Sequence, residues 1–174
     1  MANLASLAHR LDPAKQTCRA VIECQKGGRA KYSYDRAAEA LELSRFLPEG
    51  MTFPLDFGFV PSTTGGDGDP LDIMVLADEP LAPGAILEVR LIGVIEAEQT
   101  EDGRTQRNDR LVAVATASRL FEKVARLEDV GEAFTRNLTQ FWIHYETLRG
   151  VEFRVLAVRD AAWAASLISE AQAG

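Results

Sequence analysis

Gly65-Gly66-Asp67-Gly68-Asp69-Pro70-Leu71-Asp72 is the stretch on which the reading of this chain turns. Three carboxylates fall within six residues, two glycines precede them, and a proline follows the second. Glycine permits backbone angles that a side chain forbids; proline locks one angle and removes a donor. The segment reads as a turn that sends Asp67 and Asp69 in the same general direction. Residues 71–77, LDIMVLA, are an apolar run of strand length, so Asp72 stands where turn becomes strand. Carboxylates this close repel one another unless cations lie between them, and such hard oxygen ligands suit Mg2+, Mn2+ or Ca2+. Most Asp-Gly turns bind nothing; the third carboxylate, after a proline, raises the metal reading above a plain turn. An EF-hand loop is disfavoured, because its required glycine and glutamate positions, counted from Asp67, hold Asp72 and Asp78.

On either side of this loop the chain alternates as short strands. They are expected at 18–24, 29–34, 40–46, 71–77, 86–95, 111–116 and 151–158, with an irregular aromatic segment at 51–61 and a polar hairpin tip at 96–108. Strands of this size with tight turns suggest a small barrel. Residues 1–16 read as a helical lead-in, from the spacing of Leu4, Leu7, Ala8 and Leu11. The period changes over 127–148, where Val130, Phe134, Leu138, Phe141, Trp142 and Tyr145 follow one helical stripe. Asp160 is the expected N-cap of a terminal helix over 160–174. The 174 residues show no repeat and no linker, so a single domain, 1–174, is expected.

A net charge of −7 argues against general affinity for nucleic acid or anionic membranes. No apolar stretch reaches membrane-spanning length, and the first residues lack a signal-peptide pattern. With Cys18 and Cys24 alone and no CxxC, a zinc site is disfavoured, and reduced thiols in a cytoplasm are expected. On the strands, Glu23, Lys31 and Arg45 sit where they would converge with the acidic loop in a polar pocket at a barrel end.

VIE at 21–23, KY at 31–32, RF at 45–46, the run FPLDFGFVP, DGDPLD at 67–72, PLAPGAILEVRLIGV at 80–94, LVAV at 111–114 and HY at 144–145 occur in the order of a known family. The chain resembles the family I soluble inorganic pyrophosphatases over roughly residues 18–158. The resemblance implies an α+β, mainly β fold: a five-stranded, OB-like closed barrel flanked by helices. It implies Mg2+-dependent hydrolysis of pyrophosphate, with Mn2+ as an alternative metal, in a homo-oligomer, a hexamer being favoured. Carried over by position, Asp67 and Asp72 would hold the activating metals and Asp69 would be the general base. Lys31, Arg45, Arg110 and Tyr145 would grip phosphate oxygens, Glu23 would sit in the outer metal shell, and Asp102 would match another metal ligand.

Against that pattern several positions depart. An expected carboxylate is Asn108, unless Asp109 substitutes for it, and an expected lysine is Arg110. An expected glutamate is Ser33, two expected tyrosines are Phe53 and Phe57, and an expected lysine is Glu146. Two phenylalanines would make one wall more apolar and suit another phosphoanhydride. Asn108 and Glu146 are expected on polar, solvent-facing segments, where they would weaken substrate capture. A catalytically impaired subunit of the same fold is the remaining alternative.

Overall fold

Nine strands form among residues 3–171, the part of the chain that this computed structural model describes, some of them from alternating apolar positions. They are β1 (Thr17–Cys24), β2 (Ala30–Asp35), β3 (Ala40–Phe46), β4 (Asp56–Phe59), β5 (Asp72–Leu76), β6 (Ile86–Glu101), β7 (Arg104–Arg107), β8 (Arg110–Ala115) and β9 (Glu152–Arg159). Two helices, α1 (Glu132–Leu148) and α2 (Ala161–Glu170), flank β9. The ends of the expected lead-in and terminal helix, residues 1–2 and 172–174, lie outside the described residues.

Five strands close a ring. β1 pairs with β4, β4 with β5, β5 with β8, β8 with β6, and β6 returns to β1. Closure leaves the ring with no open edge. Of these pairings only β5–β8 is parallel, and its register sets Asp72 beside Arg110. The β2–β3 hairpin forms a separate sheet against β1 and pairs Lys31 with Arg45.

Two large buried clusters and one small one fill the fold. One large cluster unites Ile22, Ile73, Val75, Leu91, Leu111 and Ala113 with Ala164, Ala165 and Ile168 of α2. The other large one unites Met74, Leu76, Ile92, Val112 and Val114 with Phe53, Phe57 and Leu138, Trp142 and Tyr145 of α1. The period of two sends successive residues of β5 and β8 to opposite clusters. Asp72 and Arg110 therefore share parity with the α1 side.

Four expectations change. The aromatic segment contains β4, whose four residues are all buried, so no alternation marks it. Gly58 is required there, because a Cβ would stand 1.8 Å from the Val21 carbonyl oxygen. The polar tip at 96–108 is mostly strand: β6 continues to Glu101 and returns as β7. Its polar side chains are satisfied by partners such as Arg154 across from Glu98, which hydropathy does not register. Among its described residues the lead-in holds only one 3-10 turn, Leu4–Ser6, since Arg10 and Gln16 take positive φ and the segment is tied to the barrel, with Ala5 packed on Val21 and Phe59. The helical stripe at 127–148 breaks at Gly131, with φ 87°, into a 3-10 turn and α1. Asp160 caps α2 as expected, accepting from the Trp163 amide at 2.9 Å.

Candidate active site

The acidic loop is pinned from below by a buried threonine. Thr63 Oγ1 donates to the Val60 carbonyl at 2.6 Å and accepts from the Leu71 amide at 2.9 Å, which ties together the chain entering and leaving the loop. Within the loop, Gly65 donates to the Asp69 carbonyl at 2.7 Å and Gly68 to the Gly65 carbonyl at 3.1 Å. Asp67 Oδ1 accepts from the Asp69 amide at 3.1 Å, so one carboxylate shapes the turn that presents the next. Asp69 itself is exposed.

A cleft of about 110 Å³ gathers Glu23, Lys31, Asp69 and Asp72, together with Ser33, Tyr34, Arg36 and Phe59. Glu23 enters it from a bulge in β1, where the pairing skips between Ile22 and Cys24; bulges re-aim side chains beside functional sites. Its carboxylate accepts from the Tyr34 amide at 2.7 Å and lies 3.8 Å from Lys31 Nζ. Burial pushes Glu23 up to about 7; Lys31 and the Tyr34 amide oppose the rise, and Asp72 and Asp69 add to it. Burial also raises Asp72, against the pull of Arg110 and Lys31. Asp67 is raised by burial as well, with the charges of Asp72 and Asp69 adding to the effect. A second, narrow cleft lies beyond Pro70 and joins Asp67 and Asp72 to Arg107, Asn108 and Asp109.

Carboxylates that raise one another's pKa, with only hard oxygen donors among them, suit a divalent cation. No preformed cage of three such groups exists among the described residues. Asp72 is paired to Arg110 and Asp67 caps its own turn, so the oxygens nearest the metal reading are partly engaged.

A model of the inorganic pyrophosphatase family matches residues 20–173. The chain belongs to that family. It is 35% identical over 163 residues to the inorganic pyrophosphatase of Thermus thermophilus, covering 92% of this chain and 90% of that protein. It is 34% identical over 146 residues to that of Rickettsia prowazekii, covering 82% and 83%. The crystal structure of the Thermus thermophilus enzyme superposes with a TM-score of 0.88 at 32% identity, over 98% of this chain and 97% of that one. The inorganic pyrophosphatase of Helicobacter pylori superposes with a TM-score of 0.85 at 26% identity, over 95% of each chain. The five-stranded ring is thus the OB-like barrel of the pyrophosphatases.

Within this pyrophosphatase scaffold, the residues expected at the site divide. Glu23, Lys31, Asp69 and Asp72 share one cleft, and Asp67 shares the adjoining one. Arg45 is exposed on β3 opposite Lys31 and does not line the cleft. Asp102 stands at the β6–β7 turn, about 16 Å along the strand from the level of Asn108. Tyr145 is buried between Phe141, Trp142 and the Arg149 guanidinium, with its hydroxyl unpartnered. Arg110 is buried too and binds Asp72.

The departures also find their places. Phe53 and Phe57 are core residues, 1% and 2% exposed, and make no apolar wall for a substrate. Phe57 instead lies beneath Lys31, whose Nζ is 4.7 Å from the ring centre. Glu146 is 2% exposed and paired with Arg149, not solvent-facing as expected. Asn108 is half-buried and donates from Nδ2 to Gln99 Oε1 at 2.7 Å. Asp109 does not stand free to replace it: it accepts from the Ala97 amide at 2.9 Å and from Arg107. Thr63, Gln99 and Arg36 escaped sequence reasoning. No local pattern marks any of them: a hydrogen bond or a cleft formed by the fold singles each one out.

Proposed function

We propose that this chain hydrolyses inorganic pyrophosphate to two phosphates with the help of a divalent cation, Mg2+ in the first place and Mn2+ as its substitute. The observation that carries this reading is the meeting of Glu23, Lys31, Asp69 and Asp72, from separate stretches of a pyrophosphatase-family chain, in one cleft. Asp67 and Asp72 offer the oxygens that would hold the cation, with Glu23 behind them. A bound divalent cation supplies Lewis acidity there, making a water nucleophilic near neutral pH and neutralising phosphate oxygens. Asp69, the exposed carboxylate, is the base that takes the proton from the attacking water. Lys31 balances charge on the departing phosphate, and Arg36 at the cleft rim is a second cation within the same lining.

Phosphate release from pyrophosphate with Mg2+, and with Mn2+, tests the reading. Asp69→Asn is expected to lower kcat by about 10²- to 10⁴-fold without moving the melting temperature. Equal rates in the two proteins would sink the assignment. Reduced activity is the second form of the same reading, favoured by one observation: the Asp72 carboxylate is already engaged by a buried arginine. The chain acts in this reading as one cytoplasmic domain assembled into a homo-oligomer, a hexamer being favoured. Trp142 is buried against the chain's own barrel, while Phe141, which packs on Phe53 and Tyr145, stays partly exposed. A groove of about 780 Å³ between α1 and β9, where Ile143, Val155 and Val158 stand among polar residues such as Glu132 and Arg136, is one surface open to that assembly.

A further inference from the structure

Arg110 is 3% exposed, a burial that an arginine reaches only when its charge is met. Its Nη1 donates to Asp72 Oδ2 and to Asn108 Oδ1, and reaches the carbonyls of Asn108 at 3.3 Å and Asp109 at 3.4 Å. The guanidinium carbon lies 4.5 Å from the Trp142 ring, 5.5 Å from Phe153 and 5.9 Å from Phe57. Aromatic faces favour a weakly hydrated cation, and they hold it here on the side of Asp72 away from open water. The parallel register of β5 and β8 sets the two residues side by side, so their meeting is built into the sheet.

Asn108 completes the arrangement. Its Nδ2 donates to Gln99, which leaves Oδ1 to face Arg110. A neutral amide pair therefore stands where a carboxylate would add negative charge to the cleft. One buried positive charge is balanced chiefly by Asp72, and the neighbouring acceptor is an uncharged oxygen. A divalent cation that took Asp72 as a ligand would have to draw it from this guanidinium and leave a buried positive charge facing the metal.

We propose that the Arg110 guanidinium is a resident cation of this cleft, holding Asp72 and Asn108 in place of a divalent ion, so that the chain takes its divalent cation on the Asp67 side of the loop without Asp72. The inference rests on the divalent-cation reading given above and specifies which oxygens carry it. Arg110 is a positioning residue in this arrangement: it sets how much of the acidic loop a metal can use.

The test is Mn2+ binding to the full chain at neutral pH without substrate, followed by loss of the free-ion electron paramagnetic resonance signal. Asp72→Asn, which keeps a hydrogen-bond acceptor for Arg110, is expected to change Mn2+ affinity by less than about threefold, and Asp67→Asn to weaken it by about tenfold or more. Arg110→Gln, verified as folded by circular dichroism, is expected to bind a second Mn2+ per chain or to bind the first about tenfold more tightly. A loss of about tenfold or more in Asp72→Asn overturns the inference, as does a folded Arg110→Gln that binds like the wild type. Should Arg110→Gln fail to fold, the contrast between Asp72→Asn and Asp67→Asn decides alone. Wild type that binds no Mn2+ overturns the functional reading and, because the inference rests on it, the inference as well, whatever Arg110→Gln does. Silence in both overturns both, whereas Mn2+ bound by the wild type and lost in Asp72→Asn overturns the inference only.

Discussion

Glu23 and Glu96 are both buried on the same barrel, 7% and 6% exposed, and their surroundings treat them in opposite ways. Glu96 is fully partnered. Oε1 accepts from Arg107 at 2.8 Å and from the Trp163 indole at 3.1 Å, and Oε2 accepts from Arg159 at 3.0 Å. Burial alone would raise it, but these donors outweigh burial and hold it below the usual carboxylate range. Glu23 has one backbone amide and a lysine at 3.8 Å, and burial pushes it up to about 7. At similar solvent exposure, deeper burial and sparser partnership separate a carboxylate kept under-satisfied beside the acidic loop from one that joins β6, β7, β9 and α2. Satisfied charges pin structure, and under-satisfied ones mark places where a ligand can finish the count.

Glu146 is the intermediate case, with Arg149 as its charged partner, and it gives the most severe way to break the comparison. Glu146→Lys puts two cations together in a buried place and is expected to cost about 3–5 kcal/mol. Urea unfolding would show it as a lowered midpoint; an unchanged midpoint would mean that Glu146 and Arg149 are not a structural pair. Restoring a lysine here is therefore expected to harm the fold before it can help catalysis.

Next in size is Glu96→Gln, which keeps the shape but weakens three charge-assisted hydrogen bonds. The expected loss is roughly 2 kcal/mol, and a melting temperature about 4–8 °C lower for a chain of this length. The sign with pH follows from the depressed value. The contribution of Glu96 is present above its unfolded value and is lost as pH falls through the folded one, so wild type and variant converge in acid. Curves that stay parallel down to strongly acidic pH would contradict the hub. Phosphate release per folded molecule should be unchanged.

The smallest effect sharpens the contrast from the other side. The folded value of Glu23, about 7, lies above the ordinary glutamate value of 4.5, so its contribution is fully present below the lower figure and is lost as pH rises through the higher. Glu23→Gln removes that slope and keeps an acceptor for the Tyr34 amide. In metal-free buffer the variant should gain on the wild type between mildly acidic and mildly alkaline pH, as followed by melting temperature. A wild type that instead gains stability over that window would reverse the assignment of Glu23 as under-partnered.

How much of this was legible beforehand depended on how far along the chain each cause lay. The turn at 65–70, the strand that follows it and the cap at Asp160 are local: glycine, proline, apolar run and N-cap carboxylate act within a few residues. β4 and β7 were not legible, because one is buried on every side and the other is polar on every side, and neither leaves an alternating pattern. The lead-in showed a helical spacing that tertiary contacts overrode, since Ala5 and Leu11 are used by the barrel from an irregular backbone.

By itself the sequence determined the acidic loop, most of the strands, the membership of a pyrophosphatase-like pattern and the set of residue types available for chemistry. The closed ring alone decided which of those residues meet. Asp72 and Arg110 are 38 positions apart and touch because two parallel strands share a register. Gln99 and Asn108 pair because β6 runs past its apolar stretch and folds back through β7. Glu23 leaves the alternation of β1 because of a bulge opposite β4. Charge and chain stiffness are properties of single residues and short segments, whereas burial and partnership belong to the packed whole. They set whether a carboxylate is a structural pin or a ligand in waiting.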